Sequence, residues 1–256
     1  MKKVMLFISL IPLVSCLWAN DLIGKKYNSR TGYISFSDSK LEYVAINLED
    51  RSKTEIRADY EVQKKDGLSY LVFTLNQEEQ KWLMLYSEDI LILYSNETDY
   101  PFFIGIPSKP SKLEGLYIDP DIFSATSELK KGETIFSPKN LGLVKLDTPW
   151  VEGVNSVGIG ESIEINSYNA NSFILSNGFV SYRKPHLFRM NSRLKMVLIE
   201  DLENNTSKEY SIPDSPDPVT IRLEKASTKV RISILDVYPG EKWEDTCVNF
   251  ILIKAF

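Results

Sequence analysis

The sequence predicts an all-β fold, a small antiparallel β-rich meander or barrel followed by a β-sandwich. Three observations carry that reading. Apolar and polar residues alternate along many short segments, as in Val230-Arg231-Ile232-Ser233-Ile234. Period two is the pattern of a strand with one buried and one solvated face. Turn formers punctuate those segments, with 12 Gly and 12 Pro in 256 residues. Aromatic residues are frequent, 13 Tyr, 12 Phe and 4 Trp, and they suit pleated, half-buried surfaces. The length fits one large domain or two small ones.

The first residues speak about compartment. Lys2 and Lys3 precede an apolar core, Val4 to Val14, and Ala19 stands before Asn20-Asp21. This reads as a secretory signal peptide over 1–19, too short for a membrane span. Leu13-Val14-Ser15-Cys16 offers a second processing route. It resembles a lipobox, with residues 1–15 removed and a diacylated Cys16 anchoring the chain to a membrane. Either route predicts an exported protein that is periplasmic, outer-membrane-associated or secreted. Cys247 is the only other cysteine, so packing and not disulfides must hold the exported chain. The formal net charge of -5, with no basic stripe and no zinc-ligand spacing, argues against a nucleic-acid partner.

Residues 20–105 read as the N-terminal β-rich domain. Tyr33 to Phe36 alternates, Leu41 to Leu48 is strand-like, and Thr54 to Val62 alternates in part. Asp66-Gly67 is a hairpin signal. Leu68 to Leu75, Trp82 to Tyr86 and Asp89 to Tyr94 are further β-rich runs. Asn76 to Lys81 alone has helical composition, and it is too short to matter. Between 99 and 123 stand Pro101, Pro107, Pro110 and Pro120. Proline lacks a donor and stiffens the chain, so 106–120 is expected to be a connector between two folding units.

Residues 121–256 read as the sandwich. Two apolar-periodic segments, Ser162 to Ile165 and Ser172 to Leu175, lead to the turn signal Asn177-Gly178. Lys195 to Glu200 is nearly continuous in apolar character. Ile221 and Leu223, then Val230, Ile232 and Ile234, alternate with polar residues. Tyr238-Pro239-Gly240 is a turn, and Thr246 to Ile253 closes the domain. Short strands of this kind suit two packed sheets.

A run of motifs gives this half a family likeness. In order they are Ser124-Ala-Thr-Ser127, Phe136-Ser-Pro-Lys-Asn140, Asp147-Thr-Pro-Trp150-Val-Glu152-Gly153, Gly158-Ile-Gly-Glu161, Ser176-Asn-Gly178, Asn191-Ser-Arg193 and Asp236-Val-Tyr-Pro-Gly240, followed by Trp243-Glu-Asp-Thr-Cys247. Together they resemble the NADase-type glycan-binding domain, which belongs with discoidin-like, galactose-binding-like sandwiches. The layout of signal, variable β-rich front and this domain is similar to that of exported spirochaete proteins. The chain departs from the family pattern after Cys247, where Val248-Asn249-Phe250-Ile251 replaces a Ser-Glu-Ile ending. It departs again before Trp150, where Lys145-Leu146-Asp147 replaces a more acidic loop. The family name derives from a toxin's non-catalytic part, so the resemblance implies binding and not NAD cleavage.

The candidate ligand-binding residues are Tyr182, Arg183, His186, Asn191, Arg193, Trp150, Glu152 and Trp243. Arg forks and an Asn amide suit ring hydroxyls, and Tyr and Trp offer stacking faces. For Trp150 the competing role is core packing beneath the loops. For Asn191 and Arg193 it is turn capping and pairing with a loop carboxylate. His186 is the only His, and a lone His without a Cys or His neighbour is seldom a metal ligand. Asp147, Glu152 and Glu161 cluster near one glycine-rich turn. Carboxylate pairs hydrolyse glycosides only at a defined separation across a cleft, and no catalytic residue is assigned. No cofactor is implied, although a structural calcium held by carbonyl and carboxylate oxygens is compatible with these loops. The sequence therefore points to a non-catalytic exported protein that recognises a glycan or an envelope or surface protein through its C-terminal sandwich. The alternatives are a structural or protein-interaction component of the bacterial envelope, and an enzyme with its activity in the N-terminal domain. Against the last stands the lack of any catalytic cluster there.

Overall fold

A computed structural model of the chain describes residues 21–107 and 116–255. The signal peptide, the candidate lipidation at Cys16 and most of the 106–120 connector lie outside the described residues. The chain is all-β, as predicted: a curled antiparallel meander followed by a mixed sandwich.

Strands β1 (Lys26–Asn28), β2 (Gly32–Phe36), β3 (Lys40–Ile46), β4 (Lys53–Lys65), β5 (Leu68–Leu75), β6 (Glu78–Tyr86), β7 (Leu91–Tyr94) and β8 (Phe103–Gly105) pair in sequence order. Asn28 and Ile106 exchange backbone hydrogen bonds of 2.7 and 3.0 Å. That bridge joins the first strand to the chain just past the last, and the sheet becomes a nearly closed barrel. Closure covers edges that would otherwise template aggregation. The Asn76 to Lys81 stretch is a hairpin turn and the start of β6, not a helix. Asn76 and Gln77 both have positive φ, 53° and 69°, the conformation a tight two-residue hairpin demands.

The second unit begins with β9 (Leu116–Tyr117), which pairs with the last strand, so the sandwich takes residues from inside the proline-rich stretch. It continues through β10 (Phe123–Ala125), β11 (Leu129–Lys131), β12 (Thr134–Phe136), β13 (Trp150–Val151), β14 (Ser162–Asn177), β15 (Ser192–Asp201), β16 (Thr206–Ser211), β17 (Val219–Tyr238) and β18 (Thr246–Ala255). Strand β14 pairs with both β17 and β18, and β17 also pairs with β15. A short parallel contact, Ser192 opposite Thr246 and Arg193 opposite Cys247, returns β15 to β18. The four long strands thus enclose one core. The two apolar segments at 162–165 and 172–175 are parts of the single strand β14. Register shifts between Asn166 and Ser172, with Asn169 at φ 60°, bend it from one partner to the other.

Alternation along the central strands sorts side chains into three apolar layers. Leu71, Phe73, Met84, Leu91 and Leu93 point into the barrel, with Tyr27, Ile34 and Leu41. Their neighbours Leu68, Tyr70, Val72, Leu83, Leu85, Ile92 and Tyr94 point out of it. That outer face packs on Ile174, Val180, Phe250 and Leu252 of the sandwich. Phe173, Leu175, Ile251 and Ile253, the alternate residues of the same sandwich strands, point into the sandwich interior with Trp150, Val197 and Ile232. Strands β5, β7 and β18 are therefore buried on both faces, which is why they read as continuous apolar runs.

Candidate functional site

The Tyr182 to Arg193 segment leaves β14 at Gly178, makes one helical turn at Leu187–Met190 and enters β15. Its first half faces the barrel. The Tyr182 hydroxyl donates to the Lys81 carbonyl at 2.8 Å, and its ring meets Tyr70 edge-on at 5.8 Å. Arg183 pairs with Asp99 at 3.0 Å and donates to the Asn96 carbonyl at 3.3 Å. Phe188 fills the space between two glycines. A Cβ on Gly67 or Gly178 would lie 2.8 or 2.7 Å from its ring. Both glycines also have positive φ, so shape and backbone conformation both demand glycine there.

Arg193 is buried and its guanidinium is bonded through all three nitrogens. Its Nε and Nη2 grip the Asp214 carboxylate at 2.6 and 3.2 Å. Its Nη1 donates to the carbonyls of Asn191 at 2.6 Å and Phe188 at 3.1 Å. The guanidinium thus caps the helical turn and ties it to the 212–218 loop between β16 and β17. Asn191, also buried, donates through Nδ2 to the Leu187 carbonyl at 2.9 Å. His186 is exposed at the start of the helical turn.

Trp150 lies wholly inside the sandwich, its indole N–H donating to the Ser127 carbonyl at 3.0 Å. Glu152 is buried beside it, and its two carboxylate oxygens accept from the amides of Val154 at 2.8 Å and Thr246 at 3.2 Å. Burial pushes the Glu152 carboxyl up, against the downward pull of those amides. Neither side chain has a face to offer a ligand, so both leave the binding set: their polar atoms are spent on holding loops. Glu161 accepts from the Thr126 hydroxyl at 2.6 Å. Among the described residues no group of three or more His, Cys, Asp or Glu is placed to hold a metal ion. Cys247 is buried and its thiol is pushed up by desolvation, the state of a core residue and not of a nucleophile.

The structure brings together two of the sequence candidates, Asn191 and Trp243. They line a groove of about 120 Å³ with Phe136, Phe179, Leu187 and Asp245. Trp243 is half-buried. Its backbone amide, and that of Lys242, donate to the Met190 carbonyl at 2.9 and 3.2 Å. Gly240 permits this approach, because a Cβ there would lie 2.2 Å from the Trp243 carbonyl. Phe136 and Phe179 meet edge-to-face at 6.0 Å. Their place in the groove escaped the sequence reading: Phe136 lies on the small β11–β12 hairpin and Phe179 just after β14, 43 residues apart. Tyr182, Arg183, Arg193 and His186 do not line it.

The fold and these motifs define a discoidin-like sandwich carried behind a β-barrel. The chain belongs to the NAD glycohydrolase translocation F5/8 type C domain family, whose sequence profile matches residues 117–254. No curated protein matches the chain. Among solved structures it is similar to a Bacteroides thetaiotaomicron fragment that carries the name chitobiase, at 14% identity and a TM-score of 0.41, over 53% of this chain and 90% of that one. It is also similar to CBM32-1 from a family 31 glycoside hydrolase of Clostridium perfringens, at 12% identity and a TM-score of 0.34, over 54% of this chain and 96% of that one. A structure titled glycoside hydrolase aligns at 12% identity and a TM-score of 0.35, over 86% of this chain and 69% of that one. At such scores none of them assigns a ligand or a site to this chain.

Proposed function

We propose that the protein is a non-catalytic, exported binding protein whose sandwich recognises a carbohydrate through the Trp243 groove. The observation that carries this reading is the make-up of that groove. Trp243, Phe136 and Phe179 supply apolar ring surface for the C–H face of a pyranose. The Asp245 carboxylate and the Asn191 amide supply acceptors and donors for hydroxyls. Among the described residues Asp245 makes no side-chain hydrogen bond or ion pair, so its carboxylate is available. A shallow groove excludes little water, and the expected affinity is weak. Membership of a translocation-domain family and the N-terminal signal features support a setting outside the cytoplasm.

A glycan array with the mature full chain tests the reading, beside Trp243→Ala and Asp245→Asn. Binding to a defined sugar class, lost in both variants while melting is unchanged, supports it. Binding that both variants retain removes the groove from consideration. An array on which nothing binds, with envelope proteins captured by the same chain, favours the interaction component of the envelope instead.

A further inference from the structure

We propose a second binding site, on the barrel, that takes an arginine or lysine side chain of a partner polypeptide. It lies in the notch between the start of β6 and the turn that follows β7. A cavity of about 330 Å³ opens there, walled by Tyr43, Trp82 and Phe102 and rimmed by Glu79 and Glu97. The three rings touch edge-to-face: Trp82 and Phe102 at 4.8 Å, Tyr43 and Trp82 at 5.5 Å, Tyr43 and Phe102 at 6.1 Å. Phe102 is 37% exposed although it is a large apolar side chain.

Charge decides the class of occupant. The carboxylates of Glu79 and Glu97 are exposed and have no hydrogen bond or ion pair among the described residues. The cations at the notch are Lys81, which itself lines the cavity, and Arg183, and both are already engaged. Lys81 turns its ammonium over the Tyr70 ring, 4.4 Å from the centroid. Arg183 is held by Asp99 and the Asn96 carbonyl. Aromatic faces are electron-rich, and with two uncompensated carboxylates they attract a cation that carries apolar methylenes. A basic side chain matches both features, because its stem packs on the rings while its head meets the acids.

The backbone points to a polypeptide as its carrier. Strand β6 pairs with β7 only from Leu83 onward, so residues 78–82 have a neighbouring strand on one side alone. The Lys81 carbonyl turns to that open side, where it accepts from Tyr182. The amide and carbonyl of Glu79, two residues away, share the orientation. An extended peptide laid along this edge finds main-chain partners at Glu79 while its basic side chain enters the notch.

Titration of the full chain by two-dimensional NMR, following the indole N–H of Trp82, tests the site. The probes are blocked Gly-Arg-Gly and Gly-Lys-Gly, with Gly-Glu-Gly, choline and methyl glucoside as comparisons. The basic peptides are expected to shift the Trp82 signal saturably, and more weakly as salt rises. The double variant Glu79→Gln with Glu97→Gln alters only exposed groups. It is expected to melt like wild type and to bind about five- to tenfold more weakly. Phe102→Ala provides an independent loss. Equal binding of the acidic peptide, or wild-type affinity in the double variant, overturns the proposal. Choline binding as tightly as the peptides overturns the polypeptide assignment, and a Trp82 shift with methyl glucoside alone would mark a sugar site instead. None of these outcomes depends on whether the Trp243 groove binds glycans.

Discussion

The phenol of Tyr94, at the end of β7 in the barrel, donates to the backbone carbonyl of Val144 in the sandwich at 3.1 Å. Both residues are completely buried. Around this bond the outer face of the barrel and one face of the sandwich share an apolar layer. The two units are consequently expected to unfold together, in one calorimetric transition. Tyr94→Phe should cost about 1–3 kcal/mol, because it leaves a buried carbonyl unpaired. Two separate transitions in the wild type would show that the shared layer does not couple them. Residues 121–256 expressed alone should expose Ile174, Phe250 and Leu252 and aggregate. A soluble, cooperatively folded fragment would restore the independent domain that the proline-rich connector suggests.

Trp150 tests the sandwich core. Trp150→Ala should destabilise by roughly 3–5 kcal/mol, the cost of emptying a buried aromatic site, and it also frees the Ser127 carbonyl. The expected readout is a large fall in melting temperature. A shift of under about 2 °C would mean that the indole is not packed as described.

Arg193 acts through its fork. Arg193→Lys keeps the charge but cannot grip Asp214 in bidentate fashion and reach the Asn191 and Phe188 carbonyls at once. Denaturant unfolding should show a loss of about 2–4 kcal/mol for the lysine variant, close to that of Arg193→Ala. If lysine restores wild-type stability, charge alone and not fork geometry holds the helical turn.

Glu152 gives a pH signature. Its folded pKa is raised above the unfolded value because burial penalises the charged form. A raised acid contributes stability that is fully present below the unfolded pKa and is lost as pH rises through the folded one. Glu152→Gln removes that titration. Whatever constant cost the amide adds at the Val154 and Thr246 amides, the variant should gain on wild type between pH 4 and pH 7. Melting curves of both proteins across that window check it. A difference that stays flat, or grows the other way, would place the carboxyl's folded pKa at or below its ordinary value.

Export has a direct check as well. Mass spectrometry of the native N-terminus should find a chain starting at Asn20, or one starting at a lipid-modified Cys16. A mature chain that retains Met1 would remove both routes.

The hairpins, the period-two strands and the closing β18 were legible because their signals are local. Asp66-Gly67 must turn, and Val230 to Ile234 must alternate, whatever the rest of the chain does. The motif run from Ser124 to Cys247 was legible in the same way and led to the family. The sequence by itself thus determined the all-β class, the order of barrel and sandwich, and the family of the second half. Only the tertiary structure decided which surface remains open. Leu68 to Phe73 and Ile90 to Tyr94 are apolar on both faces, yet nothing in them says that the second face belongs to the sandwich. Tyr182 and Arg183 read as ligand-binding candidates, but Lys81, Asn96 and Asp99 receive them across the interface. Arg193 found its carboxylate in Asp214, 21 residues later. Alternation records that a side chain is buried or solvated, whereas its partner is set by strands paired over long sequence separations. Phe136, Phe179 and Trp243 meet in one groove for that reason, and no local pattern announces them.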